Sequence, residues 1–525
     1  MPVKTKSISQ YSLSPCPIIL TQIINIGKNN YSSYNELMLT FQKIKDFCKK
    51  PQTILILILL VFFLKGLLLT IILPIFNGYD EARHYNTIQY LAEPREKNWP
   101  KNEKGESADG DLVQRFNYSE EIKKTAEKIR CVGGEDKCNL YANNLFISGF
   151  DGENEAEINN RGWKQYNDDY PVNIAGKADS LYHQIGEKIE RMLGEKNILI
   201  RFYTLRIFSV FLGTIAIFIF YLILKNIGFS PKHSLLITAI ISFQPKFSFY
   251  YSYVNYDPLL ILLFAFFVFG AILSIKDGLN WKNLSLMISS IIFGIWVKGT
   301  ALILLAVFIF LIFAVIYKKV SGKTKINDKY WFGLFFTISF SVIMITFQKH
   351  LPLIGNFNEI SASFFRYFLK NIDPELISLS SKTYWGILSF DNWISLHLLE
   401  IVWFIQFFSI LGLILFIFSK NKPEFLPEKK YIFFFILMIV ALQAGIRLAD
   451  WQYFTKYGKL GLQTPGRYFF PNIAIHITLV FVGLGMLLQY FKKEKYFDLV
   501  LALSLVSMLA FFMYHLLSTL LDFYL

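Results

Sequence analysis

Apolar runs about 20 residues long recur through this chain, each the length an α-helix needs to cross the hydrocarbon of a bilayer. Residues 53–76 make the first run (TILILILLVFFLKGLLLTIILPIF), and 403–418 (WFIQFFSILGLILFIF) shows how densely aromatic and aliphatic side chains fill the others. Inside lipid no water is available to the backbone, so each run has to bond its own N–H and C=O groups as a helix. Composition agrees. Hydrophobic residues make up 54% of the 525, and Phe alone contributes 53, more apolar surface than a soluble core conceals.

The runs predict an all-α fold, a polytopic transmembrane helix bundle of about eleven spans. They are placed near 53–76, 199–224, 234–250, 257–275, 284–297, 299–317, 331–347, 398–418, 431–447, 470–490 and 496–520. Those at 234–250 and 284–297 are short, as expected of broken or tilted helices. The predicted organisation is a tail over 1–52, the first span over 53–76, a large loop over 77–198, and the remaining bundle over 199–525. The stretch 16–26 is short and lacks a small-residue cleavage site, so no signal peptide is expected there. No internal repeat is visible, which argues against a transporter built from paired halves.

A net charge of +14 on a soluble protein would suggest nucleic acid. Here residues 77–196 are net acidic, and the basic excess lies in short connectors at 225–233, 276–283, 318–330, 419–430 and 491–495. These connectors share one side if the N-terminus is cytoplasmic, which puts 77–198 outside. Membrane lipids, and not nucleic acid, are the expected surroundings.

The large loop opens with a helical pattern over 81–92. Leu181, Ile185, Ile189, Met192 and Leu193 recur at helical spacing near its end, the pattern of an amphipathic helix lying along the membrane surface. Between them, 95–180 is a polar insertion in which removing charge at Glu120 or Glu121 is expected to be near neutral. Cys131 and Cys138, seven residues apart, form a disulfide if the loop is extracytoplasmic and otherwise stay free thiols.

Four polar clusters carry chemistry. The first, Asn77-Gly78-Tyr79-Asp80-Glu81-Ala82-Arg83-His84-Tyr85, puts two adjacent carboxylates just past the first span. Like charges side by side push their pKa values apart, so such a pair suits a general base or a divalent metal, with Arg83 and His84 tuning it. A solvated loop with an acidic helix start accounts for it equally well. In the second, Asn255-Tyr256-Asp257-Pro258, Asp257 is either a helix N-cap or a second acid in an active cavity. Lys298, between Val297 and Gly299, either snorkels to the interface or pairs with an anionic ligand. The fourth holds Arg447, Asp450 and Thr464-Pro465-Gly466-Arg467-Tyr468-Phe469-Phe470-Pro471. An arginine there can take phosphate in a two-pronged contact, or the segment is an aromatic interfacial anchor. The spans themselves read as almost free of charge.

Taken in order, these segments resemble a family of bacterial multi-pass membrane proteins. Its marks are an Asp-Glu-x-x-His after the first span, an Asn-x-Asp, a Lys-x-Thr, a Trp-Gly…Phe loop and a Gly-Arg-Tyr-Phe-x-Pro. In this chain they stand as Asp80-Glu81-Ala82-Arg83-His84, Asn255-Tyr256-Asp257, Lys298-Gly299-Thr300, Trp385-Gly386…Phe390 and Gly466-Arg467-Tyr468-Phe469-Phe470-Pro471. The family is similar in layout to the GT-C glycosyltransferases, membrane enzymes that use polyprenyl-phosphate sugars. The resemblance implies a GT-C-like bundle with membrane-parallel helices in its large outer loop. It also implies a bacterial cytoplasmic-membrane enzyme that moves a sugar from a polyprenyl-phosphate donor to a glycan, lipid or protein acceptor outside. Asp80, Glu81 and His84 would then be the catalytic group, with Asn255, Asp257, Lys298, Arg467 and Tyr468 on the substrates. No cofactor is required by this reading, although a divalent metal is compatible with the acids. The alternative is a flippase or transporter of lipid-linked saccharides.

Overall fold

In a computed structural model, the structure describes residues 50–73, 75, 76, 78, 80–92, 119, 121, 122, 125, 179–320, 365–367, 369, 370, 374–386, 396–458 and 465–524. Two compact units are distinguished, Met1–Ile54 and Leu55–Leu525. Of the first, only the opening residues of a helix are described, and every site residue belongs to the second. Cys131, Cys138, Glu120, Phe390 and the span expected at 331–347 lie outside the described residues.

Among the described residues the fold is all α, with no strand. The helices are α1 (Pro51–Ile72), α2 (Glu81–Ala92), α3 (Leu181–Met192), α4 (Ile198–Asn226), α5 (Pro231–Ser242), α6 (Pro245–Tyr250) and α7 (Asp257–Asp277). They continue with α8 (Trp281–Val297), α9 (Leu302–Val320), α10 (Pro374–Trp385), α11 (Leu396–Phe418), α12 (Lys429–Tyr457), α13 (Ile473–Tyr490) and α14 (Phe497–Tyr524). Among the described residues, 7 segments are long and apolar enough to cross a membrane: α1, α4, α7, α11, α12, α14, and α13 taken with the 3₁₀ segment Gly466–Asn472 before it. The run expected over 234–250 is broken into α5 and α6. Pro245 lacks the N–H a continuous helix would use, and Gln244 restarts the chain by accepting from Phe247 N at 2.5 Å.

α1 illustrates how the sequence divides a span between lipid and protein. Leu55, Phe62, Leu69 and Leu73 recur on one face and are buried, whereas Leu57, Leu60, Val61, Leu64, Leu68 and Ile71 are exposed. Apolar residues on both faces, with one face left open, are what a helix at the lipid boundary requires. Lys65 interrupts this helix. Its amine donates to the carbonyl of Ser242 and to Ser248 Oγ (2.8 Å) and lies 4.6 and 4.7 Å from the ring centres of Phe243 and Phe512. The amine thus bonds across the α5–α6 break to the C-terminal end of α5, where the helix dipole favours a cation. This is a correction to the reading of the spans as almost free of charge, to which Arg201 and Arg206 on α4 add. All three are bonded within the protein.

In the loop over 77–198 the expected amphipathic helix is present as α3, and the role of Glu121 changes. The face of α3 that is fully buried is polar or small, with Tyr182, His183, Gly186 and Glu190 turned inward. Leu181, Ile185 and Ile189 are only partly buried, and Met192 is 84% exposed. The charges of α4 dictate this orientation: Glu190 and Glu121 both accept from the buried Arg201, and Tyr85 Oη donates to Glu190 at 3.3 Å. Glu121 is therefore an anchor rather than a neutral loop charge. Gln89 donates to it at 2.8 Å, and Ser119 N donates to Asn86 Oδ1 at 3.0 Å.

Among the described helices α11 and α13 make the most extensive pair, and they meet through small residues. A Cβ on Gly483 would run into the backbone of Ser409, and one on Gly412 would meet the backbone of Gly483. Such close backbone approach replaces the hydrophobic drive that lipid cannot supply. Gly483→Leu is expected to lower the melting temperature of the detergent-solubilised protein by several degrees, since overpacking of this kind costs about 1–3 kcal/mol or more. Leu503→Ala, at an exposed position on α14, should leave it unchanged.

Candidate active site

The chain leaves α1 at Ile72 and enters α2 at Glu81, and this short connection is set by one carboxylate. Glu81 is 0% exposed. Arg206 grips it with both prongs, Nε to Oε1 and Nη2 to Oε2, each at 2.8 Å. Gly78 N donates to Oε2 at 2.9 Å and Val254 N to Oε1 at 2.8 Å. The other end of the guanidinium donates to the carbonyls of Thr70 and Leu73 at 3.0 and 2.8 Å. These carbonyls come from the last turn of α1 and the residue beyond it, groups that a helix end leaves unpaired. A carboxylate with four donors and no exposure has little capacity left to accept a proton from a substrate. Its geometry is that of a clamp.

Asp80 differs in every respect. Its backbone adopts a left-handed conformation, φ 54°, a region Asp tolerates better than most residues but at some cost. Its carbonyl accepts from His84 N at 2.9 Å, starting α2. Its side chain is 38% exposed and lies between two arginines, with Arg467 Nη2 at 3.4 Å and Arg83 Nη1 at 3.6 Å. Residues 387 positions apart in sequence thus meet.

Around this pair the remaining candidates gather. Asn255 Oδ1 accepts from Asp257 N at 2.8 Å, so Asn255 supplies the capping oxygen at the start of α7. Asp257 is not the N-cap. Its carboxylate instead takes Lys298 Nζ at 3.0 Å and Tyr250 Oη at 2.5 Å. Lys298 sits in extended backbone where α8 stops and a 3₁₀ turn begins, which frees its side chain to lean back over the site. Its amine is 4.3 Å from the ring centre of Tyr468 and 4.8 Å from that of Tyr256. Arg467 lies 5.3 Å from the Tyr468 ring. One aromatic ring thus carries two cations within cation–π range.

His84 is buried on α2, its Nδ1 2.9 Å from His183 Nε2 and its ring edge-on to Tyr256 at 4.6 Å. Burial pushes the His84 imidazole well below its ordinary range, and His183, Lys298, Arg467 and Arg83 push in the same direction. The sequence reading lacked Arg206, His183 and Tyr250. A signal for Arg206 was present, since two arginines five residues apart inside an apolar run demand partners. His183 and Tyr250 carried no such signal. Among the described residues no group of three or more His, Cys, Asp and Glu converges as a metal-ligand set.

The depressed imidazole of His84 makes stability depend on pH with a definite sign. The unfolded chain takes a proton on this residue near pH ~6.5 and the folded chain does not. Stability is therefore full above about 6.5 and falls as pH drops from there toward the lowered folded value. Melting temperatures measured from about pH 7.5 down to about pH 5 should fall less steeply for His84→Gln than for the wild type. Equal slopes would show that His84 does not titrate this way.

The chain resembles solved structures of an archaeal oligosaccharyltransferase from Archaeoglobus fulgidus. The apo form matches with a TM-score of 0.38 at 11% identity, over 87% of this chain and 56% of that one. The form tethered to an acceptor peptide gives 0.35 at 12% identity, over 90% and 56%. A complex with an inhibitory peptide and a dolichol-phosphate gives 0.33 at 11%, over 89% and 56%. This chain thus spans little more than half the length of the proteins it matches. No curated protein matches it by sequence. A family model described as a predicted membrane protein matches residues 62–476, most of the chain, and the protein belongs to that family, DUF2142.

Proposed function

We propose that the protein is a glycosyltransferase of a bacterial cytoplasmic membrane that moves a sugar from a polyprenyl-phosphate donor to an acceptor on the outer face. The observation that carries the reading is the meeting of an accessible acid with a cation pair suited to phosphate: Asp80 against Arg467, with Lys298 on the same Tyr468 ring. Asp80 takes the proton of an acceptor hydroxyl, and the oxygen attacks the anomeric carbon. The bond from that carbon to the phosphate oxygen breaks, and its electron pair leaves on the lipid phosphate. Arg467 and Lys298 stabilise that charge in a site partly shielded from water, where fixed cations act most strongly. The family resemblance supports the same donor class, and glycan, lipid and protein acceptors can all offer the required hydroxyl.

A transporter of lipid-linked saccharides draws support from one observation, the burial of Lys65 within a span, because intramembrane charges mark many transport paths. Lys65 is held by Ser242 and Ser248 beneath aromatic rings, the environment of a fixed tie. The enzyme reading therefore takes precedence.

The test is transfer from a radiolabelled polyprenyl-phosphate sugar in reconstituted membranes. Arg467→Lys keeps the charge but loses the planar two-pronged donor, and should lower turnover by roughly 10²-fold, the scale of losing a preorganised charge-stabilising contact. Unchanged transfer in Arg467→Lys at matched protein level would remove Arg467 from the chemistry. Translocation of the donor without transfer would favour the transporter.

A further inference from the structure

A cavity of about 700 Å³ lies between α10, α11, α12 and α13, with Trp385, Trp403, Phe407, Leu442 and Phe469 among its walls. It is separate in composition from the Asp80 site, since none of Asp80, Lys298 or Arg467 lines it. The partition between the two is the 3₁₀ segment Gly466–Asn472. A 3₁₀ helix eclipses residues three apart, so Phe469 and Asn472 share one face and both line the cavity. Tyr468, on a different face, carries Lys298 and Arg467.

The chemistry of the walls narrows what the cavity takes. Its polar groups largely satisfy one another. Tyr384 Oη and Gln406 Nε2 lie 2.8 and 3.2 Å from the two nitrogens of His476, and Trp403 Nε1 donates to Ser381 Oγ at 2.8 Å. Asn472 Nδ2 donates to the Met438 carbonyl at 2.7 Å. What remains facing the interior is mainly carbon, which suits hydrocarbon and not a saccharide. Access is sideways. α11 is among the least buried of the segments long enough to cross a membrane, and Trp403, Phe407 and Ile410, which line the cavity, are also exposed on it. One charged side chain, Arg447 on α12, completes the lining, and its guanidinium also bonds Tyr367 beside Asp450. A cation beside an apolar cleft between membrane helices is the arrangement that holds an anionic lipid head.

We infer that this cavity is a lateral lipid site that takes the apolar chain of an anionic membrane lipid, with the anionic head at Arg447. Its occupancy can be measured without turnover. The full-length protein, reconstituted in vesicles, is irradiated with a phospholipid probe carrying a diazirine near the chain end, in phosphatidylglycerol and phosphatidylcholine forms. The anionic probe should label peptides of α11 and α13 roughly ten-fold more than the zwitterionic one, the scale of one charge-assisted contact. Gln443→Trp, which places a bulky ring in the lining, should abolish that labelling while leaving the melting temperature unchanged. Arg447→Gln should equalise the two probes. Equal labelling by both probes in the wild type, or labelling indifferent to Gln443→Trp, overturns the inference. Competition then identifies the source. Displacement by a polyprenyl phosphate and not by phosphatidylglycerol would mark the occupant as a polyprenyl phosphate held apart from the Asp80 site, and equal displacement would mark it as bulk anionic lipid. Either supports the site. Labelling that persists in a protein with no transfer activity would sink the transferase reading and leave this one standing.

Discussion

The bidentate pair between Glu81 and Arg206 ties the end of α1, the start of α2 and α4 to one another. Both side chains are completely buried, and two charges so placed are stable only when nearly every lone pair and proton is matched. Here the matching groups come from three separate stretches of chain: the end of α1, Gly78 in the connection, and Val254 before α7. Loss of one partner would leave the other charge buried and unpaired, at a cost of about 3–5 kcal/mol. A pair with such ties fixes where the chain turns after the first span. The preceding acid, Asp80, stands at this corner with a left-handed backbone.

With that corner fixed, adjacent carboxylates acquire different roles from their surroundings. Glu81 is sealed by donors, and Asp80 lies part-exposed between Arg467 and Arg83. The second layer of order comes from aromatic rings. Tyr256 and Tyr468 hold Lys298 over the site, and Tyr250 with Lys298 holds Asp257. Lys298 is thus shared between the Asp257 carboxylate and two rings, and Arg467 between Asp80 and the Tyr468 ring, which keeps both cations partly desolvated at the site. A donor phosphodiester at Lys298 and Arg467 would meet cations already oriented for the second negative charge that develops as the sugar leaves, which is the condition for electrostatic stabilisation without reorganisation.

Much of the fold was legible because bilayer thickness acts directly on sequence. The long runs at α1, α4, α7, α11, α12, α13 and α14 appear where apolar length predicts them, and Pro245 marks the break between α5 and α6. The candidate residues Asp80, Asn255, Asp257, Lys298, Arg467 and Tyr468 were legible as polar groups at the ends of apolar segments, and the fold brings them together. Their individual roles were not legible. Adjacent acids look alike in sequence, and only the positions of Arg206, Gly78 and Val254 distinguish them. Nor does helical periodicity reveal that α3 turns Glu190 inward, because the reason is a buried arginine eleven residues further along and a glutamate in the insertion. Tertiary charge pairing overrides local amphipathicity there.

Whether one acid of the Asp80–Glu81 pair does chemistry while the other holds the fold is decided by comparing Asp80→Asn with Glu81→Gln for folded yield, melting temperature and sugar transfer. Asp80→Asn should fold like the wild type and lose about 10²-fold in turnover, the usual contribution of a general base. Glu81→Gln should lose folded protein, with the residual fraction retaining much of its activity. A Glu81→Gln protein that folds normally and is inactive, beside an Asp80→Asn protein that transfers sugar at the wild-type rate, would contradict this division of roles.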